Sequence, residues 1–274
     1  MSQLFGYQDR RAVVTGGSRG VGAALLDVLA ELAVAHVTVL DLNPPSGPHD
    51  AFVATDLSDE QAVRAAIDAI DVPVHALFNN AGVADTQPPP TVLSVNYLAL
   101  RTLSEGLLDR MPKGSAIVNT ASTAGHIWRK HAKPINELLD LGIDDGWTAS
   151  RQWFDDHASS LDEGPYNFSK GVVELYTLRS SRPTMQRGVR TNAVCPGPID
   201  TPLLPDFRAT TSDKIIDWNI REMAGRAVSP REVASVLAFL GSPAAGYVNG
   251  VNLEVDGGFF AALATGQVDY SGRT

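Results

Sequence analysis

Residues 11–41 set the tightest limit on what this chain can fold into. Arg11-Ala-Val-Val-Thr15 is a short apolar run that ends directly in Gly16-Gly-Ser-Arg-Gly20-Val-Gly22. Helical periodicity follows at once, with Val21, Leu25, Val28, Leu29 and Leu32 on one face. Strand, glycine turn and helix in that order make a phosphate-binding loop. Glycines let the backbone approach a pyrophosphate, and the free N–H groups of a helix start favour its charge. A second strand, His36-Val-Thr-Val-Leu40, ends in Asp41, about 20 residues after the loop, where a carboxylate would accept hydrogen bonds from an adenosine ribose. An ordinary turn followed by a strand-end aspartate is the alternative reading, and the combined context favours the dinucleotide loop over it.

The alternation continues. Ala51-Phe-Val-Ala54 reads as a third strand leading to Asp56-Leu57, where adenine could be held. Ser58 is the expected N-cap of a helix with Val63, Ala66, Ile67 and Ile70 inward. Val74-His-Ala-Leu-Phe78 reads as a fourth strand ending in Asn79-Asn-Ala-Gly82. Repeated strand–helix order predicts an α/β fold, a parallel sheet covered on both faces with ligands at the strands' carboxyl ends. The composition adds exclusions. No apolar run approaches the roughly 18 residues of a membrane span. The first ten residues lack a basic start and an apolar core, so no secretory signal is expected. One cysteine, Cys195, excludes an internal disulfide framework and fits a cytoplasmic location, with a buried inert thiol expected there. A formal charge of −9 argues against a nucleic-acid surface.

Tyr166-Asn-Phe-Ser-Lys170 carries the chemistry. A phenol and an ammonium four residues apart share one helix face. A tyrosine with an ordinary pKa of about 10 is a poor acid or base at neutral pH, and a fixed positive charge nearby would draw it toward the working range. The pair alone occurs by chance; its context makes it informative. Thr15-Gly-Gly-Ser-Arg-Gly-Val-Gly22, Asn79-Asn-Ala-Gly82, Ser94-Val-Asn96, Ser122 after the strand Ala116-Ile-Val-Asn-Thr120, Tyr166 with Lys170, and Pro196-Gly-Pro-Ile-Asp-Thr201 follow in order. In this the chain resembles the short-chain dehydrogenase/reductase family. With the spacings discussed below, it is most similar to the bacterial 3α-hydroxysteroid dehydrogenase/carbonyl reductase branch.

The resemblance implies one doubly wound, Rossmann-type domain over residues 1–274. It implies that Tyr166 exchanges a proton with the substrate oxygen, that Lys170 lowers its pKa and bonds the nicotinamide ribose, and that Ser122 bonds the reacting oxygen. Asn96 would hold a water linking Lys170 to solvent. The dinucleotide would lie on Gly16, Ser18, Arg19, Gly20, Val21, Asp41, Asp56, Leu57, Asn80, Ala81, Gly82, Tyr166, Lys170, Pro196, Gly197, Ile199 and Thr201. Asp41 would repel a 2′-phosphate and favours NAD. Arg19 could pair with one and leaves NADP as the lesser possibility.

Two departures from the family pattern stand out. Between Gly82 and Asn96 there is only a short stretch containing Asp85-Thr-Gln-Pro-Pro-Pro90, as if part of a helix had been trimmed. Ser122 and Tyr166 lie 44 positions apart, so residues 123–163 form an insertion at the active site, holding Trp128, Trp147 and Trp153. Helices are expected over 134–141 and from 148. The insertion reads as a lid or aromatic pocket wall; the same aromatics would also serve to pack it onto the body or a partner subunit. His126, His131 and His157 lack metal-ligand spacing, and no metal site is expected. Residues 202–226, with Leu203, Leu204, Phe207, Ile215, Ile216, Trp218, Ile220 and Met223, sit where the family has its substrate-binding loop. Thr123, Trp128, Pro198, Leu203, Leu204 and Phe207 are the expected substrate contacts. The tail from Phe259 could cover a partner's pocket or fray.

The sequence thus predicts an enzyme moving hydride between NAD and a bulky secondary alcohol or ketone of hydroxysteroid, alicyclic or aromatic type. A dihydrodiol or sugar-like substrate is the alternative, for which Arg129, Lys130, Lys133 and Arg151 leave room. A non-catalytic dinucleotide sensor is the alternative of another class, and would be expected to have lost Tyr166 or Lys170. A homodimer through the last strand and the helix opened by Ser229 and Pro230 is expected, because the insertion would block the other usual interface.

Overall fold

The computed structural model describes residues 5–144, 146–157, 164–222 and 224–269. The expected insertion's last residues (158–163), Met223 of the apolar helical series and the end of the tail (270–274) lie outside the described residues. Among the described residues, seven strands form one sheet in the order β3-β2-β1-β4-β5-β6-β7, every pair parallel.

In chain order, β1 (Arg11–Thr15) leads through the glycine turn to α1 (Gly20–Glu31) and β2 (His36–Asp41). β3 (Ala51–Ala54), α2 (Glu60–Ala69) and β4 (Ala76–Asn79) follow. α2 is capped by Asp59, whose carboxylate accepts the Gln61 N–H at 2.9 Å, one residue later than the expected cap. Ser58 instead donates its hydroxyl to Asp56. α3 (Pro89–Leu93) begins at a proline, whose fixed φ suits a first turn, and passes through a π-turn (Ser94–Leu98) into α4 (Ala99–Gly106). After β5 (Ala116–Thr120), a 3₁₀ segment (Thr123–Arg129), α5 (Ala132–Asp140) and α6 (Thr148–His157) build the insertion. α7 (Gly164–Gln186) and β6 (Arg190–Pro196) carry Tyr166, Lys170 and Cys195. α8 (Leu204–Thr211), α9 (Asp213–Glu222), α10 (Pro230–Gly241), β7 (Asn252–Val255) and α11 (Phe259–Ala264) complete the order. α10 has the expected Ser229 cap with Pro230 at its start, reinforced by Glu232 in a capping box.

β4, β5 and β6 are buried at every position, as parallel strands covered on both faces must be. One core layer joins α1 and α10 through Leu25, Leu29, Val233 and Leu237. The other joins α2, α4 and α7, and takes in Ile135, Trp147 and Phe154 of the insertion. β1 lies between β2 and β4, so the chain leaves it in opposite directions for the two halves of the sheet. That reversal opens a crevice beyond the strands' carboxyl ends.

Candidate active site

The crevice is a cavity of about 990 Å3, and its floor is built by the loops after β1, β2 and β4. Gly16 has φ +70°, and a Cβ there would stand 2.8 Å from the Ala81 Cα, so the two loops touch only because this residue is glycine. Thr15 joins them: its Oγ1 accepts the N–H groups of Asn80 and Ala81, each at 3.0 Å. α1 starts at Gly20 with no side-chain cap, so its first N–H groups have no partner within the helix and face the cavity. Asp41 stands at the rim; its Oδ2 accepts the Ser18 N–H at 3.0 Å and its Oδ1 the Asn43 N–H at 3.1 Å. Every cofactor residue expected from the sequence lines this one cavity. An uncapped helix start, a glycine floor and a rim carboxylate fit a dinucleotide, with the pyrophosphate on the loop and the adenosine ribose at Asp41.

Ser122, Tyr166 and Lys170 also line the cavity. Lys170 is buried and donates Nζ–H to the Thr120 carbonyl at 2.8 Å. Burial draws its pKa down to about 8. Its Nζ lies 5.7 Å from the centre of the Tyr166 ring. The phenol shifts opposite to the sequence expectation. Burial pushes Tyr166 up to about 12, a hydrogen bond with Ser122 opposes this, and the charges of Asp85 and Cys195 add to it. The reason is local: Phe207 packs edge-on at 4.7 Å against the phenol, and the ammonium is turned to a carbonyl.

Asn96 has a duty the sequence did not suggest. It does not line the cavity. Its Oδ1 accepts the Val83 N–H at 2.9 Å, and its Nδ2 donates to the Val83 carbonyl and the Ser169 hydroxyl at 3.0 Å each. The amide therefore clamps the loop after β4 to α7. The widened π-turn holds it there; such turns recur at functional sites.

Beyond Tyr166 the cavity turns apolar. Thr123, Pro198, Leu203, Leu204 and Phe207 line it as expected. Trp128 does not, which corrects its assignment as a substrate contact; it packs against the core beneath, with Arg129 over its ring. Trp147 is fully buried with Nε1 bonded to Thr102, and Trp153 stacks on His157 and Phe168. The three tryptophans of the insertion therefore fasten it to the body instead of forming a pocket wall. The insertion's share of the cavity comes from Thr123, Ala124, His126 and Ile127. Sequence reading passed over His126, Ile127, Asn219, Phe259 and Phe260 as cavity residues. The apolar Phe259-Phe260 pair was the available signal: α11 closes over this chain's own cavity, and Phe260 lies on the His126 ring at 3.9 Å between centres. Among the described residues, no group of three or more His, Cys, Asp or Glu side chains could hold a metal ion.

Fold and site together define a dinucleotide-dependent oxidoreductase acting on alcohol groups. Residues 10–134 match the family described as short chain dehydrogenase, and residues 155–260 the one described as enoyl-(acyl carrier protein) reductase. The chain is 32% identical over 250 residues to the coniferyl-alcohol dehydrogenase of Pseudomonas sp. (strain HR199 / DSM 7063), covering 91% of this chain and 96% of the relative. It is 30% identical to the 3-alpha-hydroxysteroid dehydrogenase/carbonyl reductase of Comamonas testosteroni, with 92% and 96% covered. The crystal structure of the 3-alpha-hydroxysteroid dehydrogenase from Pseudomonas sp. B-0831 complexed with NADH superposes with a TM-score of 0.76 at 28% identity, covering 94% of this chain and all of that one. The chain belongs to the short-chain dehydrogenase/reductase family, whose members use NAD or NADP. No helix among the described residues is long and apolar enough to cross a membrane.

Proposed function

We propose that this enzyme moves a hydride between NAD and the carbinol or carbonyl carbon of a bulky, largely apolar alcohol or ketone, with Tyr166 as the acid/base. The observation that carries the substrate class is the enclosure beyond Tyr166 by Phe207, Ile127, Ile215, Ile216, Phe259 and Phe260. Two relatives named for coniferyl alcohol and for a hydroxysteroid support an aromatic or alicyclic skeleton. A sugar-like alcohol would need more hydrogen-bonding groups than Thr123, His126, Asn167, Thr211 and Asn219 supply beside Ser122 and Tyr166.

When bound, the nicotinamide supplies or accepts the hydride; the rest is done by the chain. As a carbonyl carbon gains hydride, its oxygen takes the Tyr166 proton, while the Ser122 hydroxyl donates a hydrogen bond to the developing oxyanion. Oxidation runs in reverse, with the alcohol proton passing to the phenolate. Lys170, buried and held by Thr120, places a positive charge behind the phenol and favours the phenolate. The Asp41 carboxylate at the ribose end supports NAD over NADP, since a 2′-phosphate would meet a second negative charge. A dimer through β7 and α10 is supported by the edge position of β7, where Leu253 is exposed, and by the insertion lying over α4 and α7.

The test is reduction of a ketone panel with NADH, then NADPH: flat steroidal ketones, aryl ketones and polar keto-sugars, together with NAD-dependent oxidation of coniferyl alcohol. Turnover of the apolar compounds with preference for NADH is expected. Turnover confined to the polar compounds would overturn the substrate class.

A further inference from the structure

The loop after β4 returns to the catalytic helix at one charged contact. The Asp85 Oδ1 accepts the Tyr166 peptide N–H at 2.7 Å. A Cβ on Gly164 would stand 3.2 Å from Oδ2, and Gly164 has φ +79°, so the carboxylate and the turn into α7 share a tight space. The carbonyl of the same residue is held as well. The Tyr166 carbonyl accepts the Ser169 hydroxyl at 2.7 Å, Ser169 accepts Asn96 Nδ2 at 3.0 Å, and Asn96 clamps Val83, two residues before Asp85. Hydrogen bonds and backbone thus close a circuit that starts and ends on Tyr166.

We propose that Asp85 is a positioning residue for proton transfer: from the shortened loop it fixes the first turn of the helix carrying Tyr166 and sets the electric field at the phenol. The proposal rests on Tyr166 being the acid/base. The groups around the phenol are few. Lys170 faces it from its own helix, Ser122 from the end of β5, Cys195 from β6 and Asp85 from the loop, while α8 offers only the Phe207 ring. Among the described residues, Asp85 is the one carboxylate of this set, and its charge raises the phenol's pKa. Burial raises the pKa of Asp85 itself, and the Tyr166 N–H opposes that shift. An enzyme that must protonate a carbonyl gains from a neutral phenol, and a fixed anion at the helix start keeps it so.

The two parts of the role separate by mutation. Asp85→Asn keeps an oxygen acceptor for the Tyr166 N–H and removes the charge. In kcat/KM for alcohol oxidation against pH, the limb that reports loss of the Tyr166 proton should move down by about half a unit to one unit. Asp85→Ala removes the acceptor too, and kcat should fall about tenfold or more at every pH. Tyr166→Phe is run alongside. An unmoved limb in Asp85→Asn, with Tyr166→Phe inactive, overturns the field and leaves the acid/base reading standing. Wild-type kcat in Asp85→Ala overturns the positioning. An active Tyr166→Phe removes the acid/base reading and the proposal with it. If Asp85→Asn folds poorly, Asp85→Ser, also a good acceptor at a helix start, carries the same expected shift.

Discussion

At the end of β2 one carboxylate does two things. Asp41 lines the cavity where the ribose is proposed to bind and also holds the Ser18 amide of the glycine loop. Asp41→Ala should therefore lower kcat/KM with NADH by about tenfold, the worth of a charged hydrogen bond, and narrow the preference over NADPH. Steady-state kinetics with both cofactors check this; an unchanged NADH:NADPH ratio would contradict it. Glu174, one turn beyond Lys170, is buried with no hydrogen-bond partner at Oε1 and only the Asn252 amide at Oε2, and burial, opposed by Arg129, raises its pKa from the usual 4.5 to about 8. A carboxyl that binds its proton more tightly when folded contributes stability that is full below pH 4.5 and is lost as pH rises through about 8. Glu174→Gln should melt like the wild type at pH 5 and at a higher temperature at pH 8.5, with about 2–4 kcal/mol between them at most. A wild-type melting curve with no extra fall over that window would contradict it. The glycines, Asp41, Ser122, Tyr166 and Lys170 were legible because their chemistry is tied to local order: strand end, turn, helix start, or i and i+4. Thr15, Asp85 and Glu174 were not, because each acts on a partner at least 49 positions away, Glu174 through the Cβ site of Gly125 and the others through hydrogen bonds to Asn80 and Tyr166.

Among the elements, the insertion shows the limit of such reading. Its helices were legible from apolar spacing, but an aromatic cluster says only that a face is buried, not against what. Trp147 is fully buried on α4 and bonded to Thr102, so Trp147→Ala should cost about 3–5 kcal/mol of stability in a denaturant melt, with little change in KM. Phe260→Ala, on α11, should behave in the opposite way: a small loss of stability and a KM for apolar substrates about tenfold higher. If the two variants exchanged these signatures, the insertion and not the tail would be the pocket wall. Register details such as the Asp59 cap, one residue from its expected place, fall to side-chain competition: Ser58 is taken by Asp56 and leaves the cap to its neighbour.

For the whole molecule, alternation of strand and helix sufficed to specify a parallel, doubly wound sheet, because crossover handedness and two-sided burial leave few other arrangements. What the sheet does follows from where its order reverses, since the loops after β1, β2 and β4 and the Ser122–Tyr166–Lys170 group from the end of β5 and from α7 line one cavity there. A dimer through β7 and α10 is the proposed assembly. Sedimentation equilibrium should give twice the 29.2 kDa chain mass, and a monomer or tetramer would contradict it. Transfer of the proton by Tyr166 as hydride moves is tested by comparing wild type with Tyr166→Phe. NADH oxidation with a preferred ketone is measured beside NADH binding by fluorescence. The account predicts at least a thousandfold loss of kcat, about 4 kcal/mol in the barrier, with NADH affinity unchanged within about twofold. A phenylalanine enzyme that turns over within about tenfold of the wild type would contradict it.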